Sequence, residues 1–230
     1  MALSNKEREE IGKIYCRLME EILIRDELLM NVLNQGLPHA PASTLQPQMM
    51  DAAKLEFAYL QLRMICESIA LACLAAHGDI AETGTKRLQK ADADTIIKSL
   101  DNLHSDFFPK PSKQPVERDE LGVWRLTPIT SGFLNKDDLL RLYGECGNVL
   151  HRGSMRKLLS GNAPLTDANN PNIWADKIWK LLEHHQIQTI DPNFQIICLM
   201  KDKVLSRPQI SYWTMRPDGL WAIEMAVRAE

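Results

Sequence analysis

Cysteine is scarce in this chain: five residues in 230, an odd number with no C-x-x-C pair. A disulfide framework needs an even, spaced set, so the thiols point to a reducing cytoplasm. Long apolar runs are also missing. The longest, Ile69 to Ala76, has eight residues, where a membrane span needs about 18 to 20, so no membrane association is expected. The start, MALSNKEREE, lacks the basic-then-apolar pattern of a cleaved leader. No sign of charge dominates: 27 Lys and Arg against 30 Asp and Glu leave −3, so the whole molecule is not a polycation built for nucleic-acid backbones. There is no HExxH, P-loop, GxSxG or GxGxxG, and the adjacent His184 and His185 would diverge by about 100° on a helix. No metal and no cofactor are expected.

What is present describes a globular chain, 45% hydrophobic and 25% charged, long enough to bury a core without staples. Ser4 and Glu7 have capping-box spacing ahead of a helical run through Ile11, Ile14, Tyr15, Leu18 and Ile22. A second helix, about Gln48 to His77, is apolar nearly all round, as expected of the central member of a bundle. His77 and Gly78 are placed to end it. Asp92 or Asp94 caps a third helix. The stretch 105–134, with prolines at 109, 111, 115 and 128, reads as an irregular loop packed over the bundle. Asn135 caps a fourth helix, Lys136 to Arg152, and Asn170-Pro171 opens a fifth with Trp174, Ile178, Leu181 and His185 on one stripe.

The period then changes from 3.6 to 2. Gln186–Ile190, Phe194–Met200, Gln209–Met215 and Leu220–Arg228 read as four strands of an antiparallel meander. The expected fold is α+β, mainly α: an up-and-down bundle of about five helices over 1–187, then a small antiparallel sheet over 188–230 packed on it.

The segment LLRLYGECGNVLHRG, Leu139 to Gly153, is the most informative. Leu140, Gly144, Gly147 and His151 form one stripe at i, i+4, i+7 and i+11. Each glycine inside a helix costs about 1 kcal/mol against alanine, and the usual reason is close approach of another backbone or of a ligand. His151 also suits a simpler role, capping its own helix C-terminus. On the second helix Arg63 and Glu67 are an i, i+4 pair inside an apolar run. They read as a partly buried ion pair or as members of a pocket with His151 or Tyr143. Cys66 and Cys73 read as small core residues. Lys201, Lys203, Arg207 and Arg216, with Tyr212 and Trp213 among them, could stack on single-stranded nucleic acid, but the two aromatic rings alternate faces.

An all-helical core whose late helix ends in a polar residue, two apolar ones and a histidine, Asn148-Val149-Leu150-His151, resembles the HEPN superfamily over Ser4 to His151. The resemblance implies an up-and-down bundle, usually dimeric, of a kind that includes many metal-independent RNases of toxin–antitoxin and phage-defence systems. The family's active pattern sets four to six residues between an arginine and the histidine. Here Arg141 precedes His151 by nine intervening residues, and no arginine has the family spacing to a histidine. Only His151 carries over, with Asn148 as its polar partner.

A metal-free RNase needs an acid or base near pH 7 and a cation for phosphate. The catalytic candidates are therefore His151, Asn148 and Arg152. The binding candidates are Arg63, Glu67, Tyr143, Arg156 and Lys157. Residues 135–160 carry a local +2, five basic against three acidic. The leading expectation is a cytoplasmic HEPN-like homodimer with an RNA-linked stress or phage-defence role. The alternatives are a non-enzymatic dimeric interaction module and a small-ligand binder under the 105–134 loop.

Overall fold

The computed structural model describes residues 4–35, 47–78, 81–114, 117–120, 124–150, 170–201 and 206–228. Helix α1 (Asn5–Gln35) begins at the capping box: the Glu7 carboxylate accepts from the Ser4 backbone N–H at 2.8 Å, and Ser4 Oγ accepts from the Glu7 N–H at 3.3 Å. Helix α2 (Pro47–Ala76) runs antiparallel to α1. Lys54 Nζ donates to the Leu33 carbonyl, Arg25 donates to Gln61, and a Cβ on Gly78 would lie 3.2 Å from Ile11. By length and mean hydropathy alone, Asp51–Ala76 is apolar enough to cross a membrane, as core helices of this length also can be. Here 61% of that apolar window is buried inside the fold, because α1 and the later helices pack round it.

A 3-10 turn (Ala81–Gly84) and short helix α3 (Lys86–Gln89) lead to α4 (Ala93–Leu103), capped by Asp92, whose side chain accepts from the Thr95 N–H. Helix α5 (Lys136–Leu150) is capped by Asn135, which accepts from the Asp138 N–H at 2.8 Å. Helix α6 (Asn170–Leu182) buries Trp174, Ile178 and Leu181. His185, expected on the same helical stripe, lies beyond the end of α6 in a strand.

The sheet has six strands rather than four, in the order β2-β1-β3-β4-β5-β6, all antiparallel. They are β1 (Lys110–Lys113), β2 (Thr127–Pro128), β3 (His184–Gln188), β4 (Phe194–Leu199), β5 (Gln209–Met215) and β6 (Trp221–Arg228). The extra pair comes from the proline-rich stretch that reads as loop. Pro111 sits in β1 opposite His185, its carbonyl accepting from the Ile129 N–H, and Pro128 sits in β2, which among the described residues pairs with β1 alone. The edge position of β2 tolerates the missing N–H of Pro128. Three of the six strands therefore begin before residue 188.

Helix α1 crosses the sheet at Gly12. A Cβ there would lie 3.0 Å from Ile210 and 3.1 Å from Val227, so the missing side chain sets how closely α1 can approach β5 and β6. Beside this crossing, Tyr15, Cys16, Cys198 and Ile210 are sealed from solvent. His77 follows the last turn of α2: Nδ1 lies 2.8 Å from the Cys73 carbonyl and Nε2 lies 3.2 Å from the Gln188 carbonyl, tying α2 to the sheet as well as ending it.

Candidate functional site

Where α2 meets α5, three of the expected binding residues come together. Arg63 Nε lies 3.1 Å from Glu67 Oε1, and Arg63 Nη2 donates to the Tyr143 hydroxyl at 2.8 Å. That hydroxyl is 3.3 Å from the same Glu67 oxygen, and the guanidinium carbon lies 4.5 Å from the centre of the Tyr143 ring. The cluster follows from spacing: an i, i+4 pair on α2 projects from one face, and Tyr143 reaches it from the facing turn of α5. The Arg63 and Glu67 side chains remain 28% and 31% exposed. The pair is open to solvent on one side. Desolvation raises the Tyr143 hydroxyl above its ordinary pKa, although the Arg63 charge pulls it the other way.

The glycine stripe on α5 borders this cluster. The Arg63 Nη1 lies 3.7 Å from where a Cβ on Gly147 would sit, an ordinary contact distance. A Cβ on Gly144 would meet no atom of the described residues within 4 Å. Neither glycine is needed for a helix crossing among the described residues. Asn148 is exposed on the same side of α5. His151, Arg152, Arg156 and Lys157 lie outside the described residues. Within α5 itself Lys136 and Arg141 stand against Asp137, Asp138 and Glu145, 2 − 3 = −1, so the local positive charge read from sequence rests on the segment after it.

An apolar ridge on α2 continues the surface. Leu60, Met64, Glu67 and Leu71 follow helical spacing, with Leu60 and Leu71 42% and 39% exposed and Met64 half-buried. Glu67 thus belongs both to the ridge and to the cluster with Tyr143.

The other residues singled out by sequence have structural surroundings. Cys66 and Cys73 are buried, and burial pushes both thiols up; the Cys146 thiol is pushed up to about 12. Such thiols are poor nucleophiles and poor metal ligands. Among the described residues no group of three or more His, Cys, Asp or Glu could hold a metal ion. His184 pairs with Ser112 Oγ at 2.9 Å. Of the expected nucleic-acid face, Tyr212 is buried, Trp213 donates to Ser211, Lys201 lies over Trp179, and Arg207 and Arg216 pair with Glu20 and Asp218. In the 105–134 stretch, Phe107 is fully buried against Phe108 and His77.

Sequence reasoning missed Gly12, whose contacts lie about 200 positions away, and the juxtaposition of Arg8 with Glu224, 2.8 Å apart. Neither has a local signature, because each depends on α1 lying across the last two strands. Compared with known proteins, the chain matches no family model, no curated protein and no solved structure.

Proposed function

We propose that this chain is a HEPN-like helical module that works as a homodimer in an RNA-linked process, through binding rather than through a reaction of its own side chains. The observation that carries the dimer is the state of Gly144 and Gly147. Each costs the helix about 1 kcal/mol against alanine, yet among the described residues nothing crowds either position. We read their use as contact with a second copy of α5, beyond the described residues. The apolar ridge of α2 supports the same reading, because Glu67 joins it to the glycine side through Tyr143 and Arg63. A two-fold interface needs one self-complementary patch, and bare glycine beside apolar side chains is suited to that.

The RNA link comes from the resemblance at Asn148-Val149-Leu150-His151 and from Arg152, Arg156 and Lys157, which supply the positive charge of this region in the sequence. Five free thiols, all buried, suit a reducing compartment, and a cytoplasmic location is part of the proposal.

Crosslinking tests the dimer. Because the native cysteines are buried, an exposed Asn148→Cys supplies the accessible thiol for a short bismaleimide. The expected product is a covalent species of twice the 26.2 kDa chain mass, absent when the thiol is placed instead by Lys98→Cys on α4. Equal crosslinking at both positions, or none at either, contradicts the reading.

A further inference from the structure

At Glu224 the pairing of β5 with β6 slips. Tyr212 pairs with Met225 and Trp213 with Ile223, which leaves Glu224 without a partner residue on β5. Bulges of this kind re-aim a side chain. Here the result is that Glu224 and Met225 both face the start of α1, with Glu224 Oε2 2.8 Å from Arg8 Nη1.

Arg8 is held in an unusual way for a residue near the surface. Its guanidinium carbon lies 4.3 Å from the centre of the Phe194 ring, Phe194 stacks on Tyr212 at 5.7 Å and 13°, and the Tyr212 hydroxyl donates to the Arg8 carbonyl at 2.6 Å. Its Nε is buried and has no hydrogen-bond partner among the described residues. A buried, unpaired donor costs stability, so the position of this guanidinium is maintained against a penalty. Beside it opens a cleft of about 290 Å³ lined by Asn5, Arg8, Tyr212, Glu224 and Met225.

We propose that this cleft binds a free α-amino acid, with the ligand carboxylate on Arg8 and the ligand ammonium on Glu224. The volume lies at the small end of ligand sites, which run from about 300 to 1,000 Å³, and suits a small ligand. Phosphate is disfavoured by the Glu224 carboxylate. The lining holds one cation and one anion side by side, and a zwitterion is the small ligand whose two charges complement both at once. Arg8 offers the Nη N–H groups that Glu224 does not use and Glu224 its second oxygen, so their mutual ion pair stays in place when the ligand binds. Charge-assisted bonds to a carboxylate are the strong kind that fix orientation. Asn5 adds a neutral amide, and Met225 and the Tyr212 ring give apolar surface for the ligand side chain. The Glu224 side chain is 42% exposed and Arg8 20%, so solvent screening sets a modest affinity.

The test is calorimetric titration of the full chain with the common L-amino acids, each at up to about 10 mM, a range that covers millimolar affinities. At least one is expected to bind with one-to-one stoichiometry. Its amide and its N-acetyl derivative, each lacking one charge, are expected to bind at least about tenfold more weakly, the loss of one charge-assisted bond. Glu224→Gln, which keeps the size and a hydrogen-bonding oxygen, is expected to weaken the free amino acid by a similar factor while leaving the N-acetyl derivative unchanged. Binding of no amino acid, equal binding of the blocked derivatives, or an unchanged affinity in folded Glu224→Gln overturns the proposal.

Discussion

The Tyr15 hydroxyl and His185 Nε2 face each other across 2.6 Å, in a place where neither side chain meets solvent. The other ring nitrogen, Nδ1, lies 2.8 Å from the Leu182 carbonyl. A carbonyl can only accept, so Nδ1 carries the proton and Nε2 accepts from Tyr15. This contact joins α1 to β3 over 170 positions of sequence and fixes the tautomer of a neutral histidine. Burial lowers the His185 pKa to about 4, and that of His184 moves in the same direction.

A pH dependence follows, with a definite sign. His185 titrates near its ordinary value of about 6.5 in the unfolded chain and near 4 in the folded one. The unfolded state therefore binds more protons between these values. The contribution is complete above about pH 6.5 and is lost as pH falls toward 4, up to about 3 kcal/mol. Urea unfolding at pH 7.5 and at pH 4.5 measures this. The parent is expected to lose stability over that interval by about 1 to 3 kcal/mol more than His185→Gln, which has no proton to take up. Equal losses in parent and variant contradict the assignment.

The Arg63–Glu67 pair leads to a small number. With each side chain about 30% exposed, its charges are screened, and Glu67→Ala is expected to cost about 1 kcal/mol or less. A fully buried pair would lose about 3 to 5 kcal/mol. Tyr143→Phe keeps the ring beside Arg63 and removes the hydroxyl that bridges to Glu67, an expected loss of about 0.5 to 1.5 kcal/mol. Denaturant midpoints of the two variants check both values, and a loss above about 3 kcal/mol for Glu67→Ala would mean that the pair is sealed from water.

The capping residues Ser4, Asp92 and Asn135 and the four C-terminal strands are legible because their signals are local: a hydroxyl, carboxylate or amide at the right offset, or short apolar or alternating runs between turns. The proline-rich β1 and β2 are not. Pro111 finds its pairing partner at His185, more than 70 positions on, and the sequence around it carries only the marks of a loop. The i, i+4 spacing of Arg63 and Glu67 was readable, and Tyr143 was among the candidates placed with them. Which glycines are crowded was not readable, since the answer depends on what crosses the helix. Gly12, pressed by β5 and β6, has no local mark to set it apart from Gly144 and Gly147, which nothing crowds among the described residues.

The glycines themselves can be ranked by experiment. Gly144→Ala is expected to raise the stability of the isolated fold by about 0.5 to 1 kcal/mol, the helix-propensity gain at an open position. Gly12→Ala inserts a methyl 3.0 to 3.2 Å from Ile210 and Val227. Overpacking of this kind costs about 1 to 3 kcal/mol, which outweighs the propensity gain. Chemical denaturation at low protein concentration gives both values, and a more stable Gly12→Ala would contradict the close crossing of α1 over the sheet.

Purified protein is expected to leave single-stranded RNA uncut, with or without EDTA. Gel analysis of a labelled oligonucleotide checks this. Cleavage that persists in EDTA and falls about 100-fold in His151→Ala would instead make His151 a general acid or base.

The proposed packing of α5 against a second copy along its glycine stripe is read by light scattering over a dilution series. The parent chain is expected at twice its 26.2 kDa mass at micromolar concentration. Gly144→Leu fills a position that is open among the described residues with a strong helix former, and is expected to run at the single-chain mass with an unchanged circular dichroism spectrum. A parent that runs at 26.2 kDa throughout the series, or a Gly144→Leu chain that stays dimeric, contradicts the account.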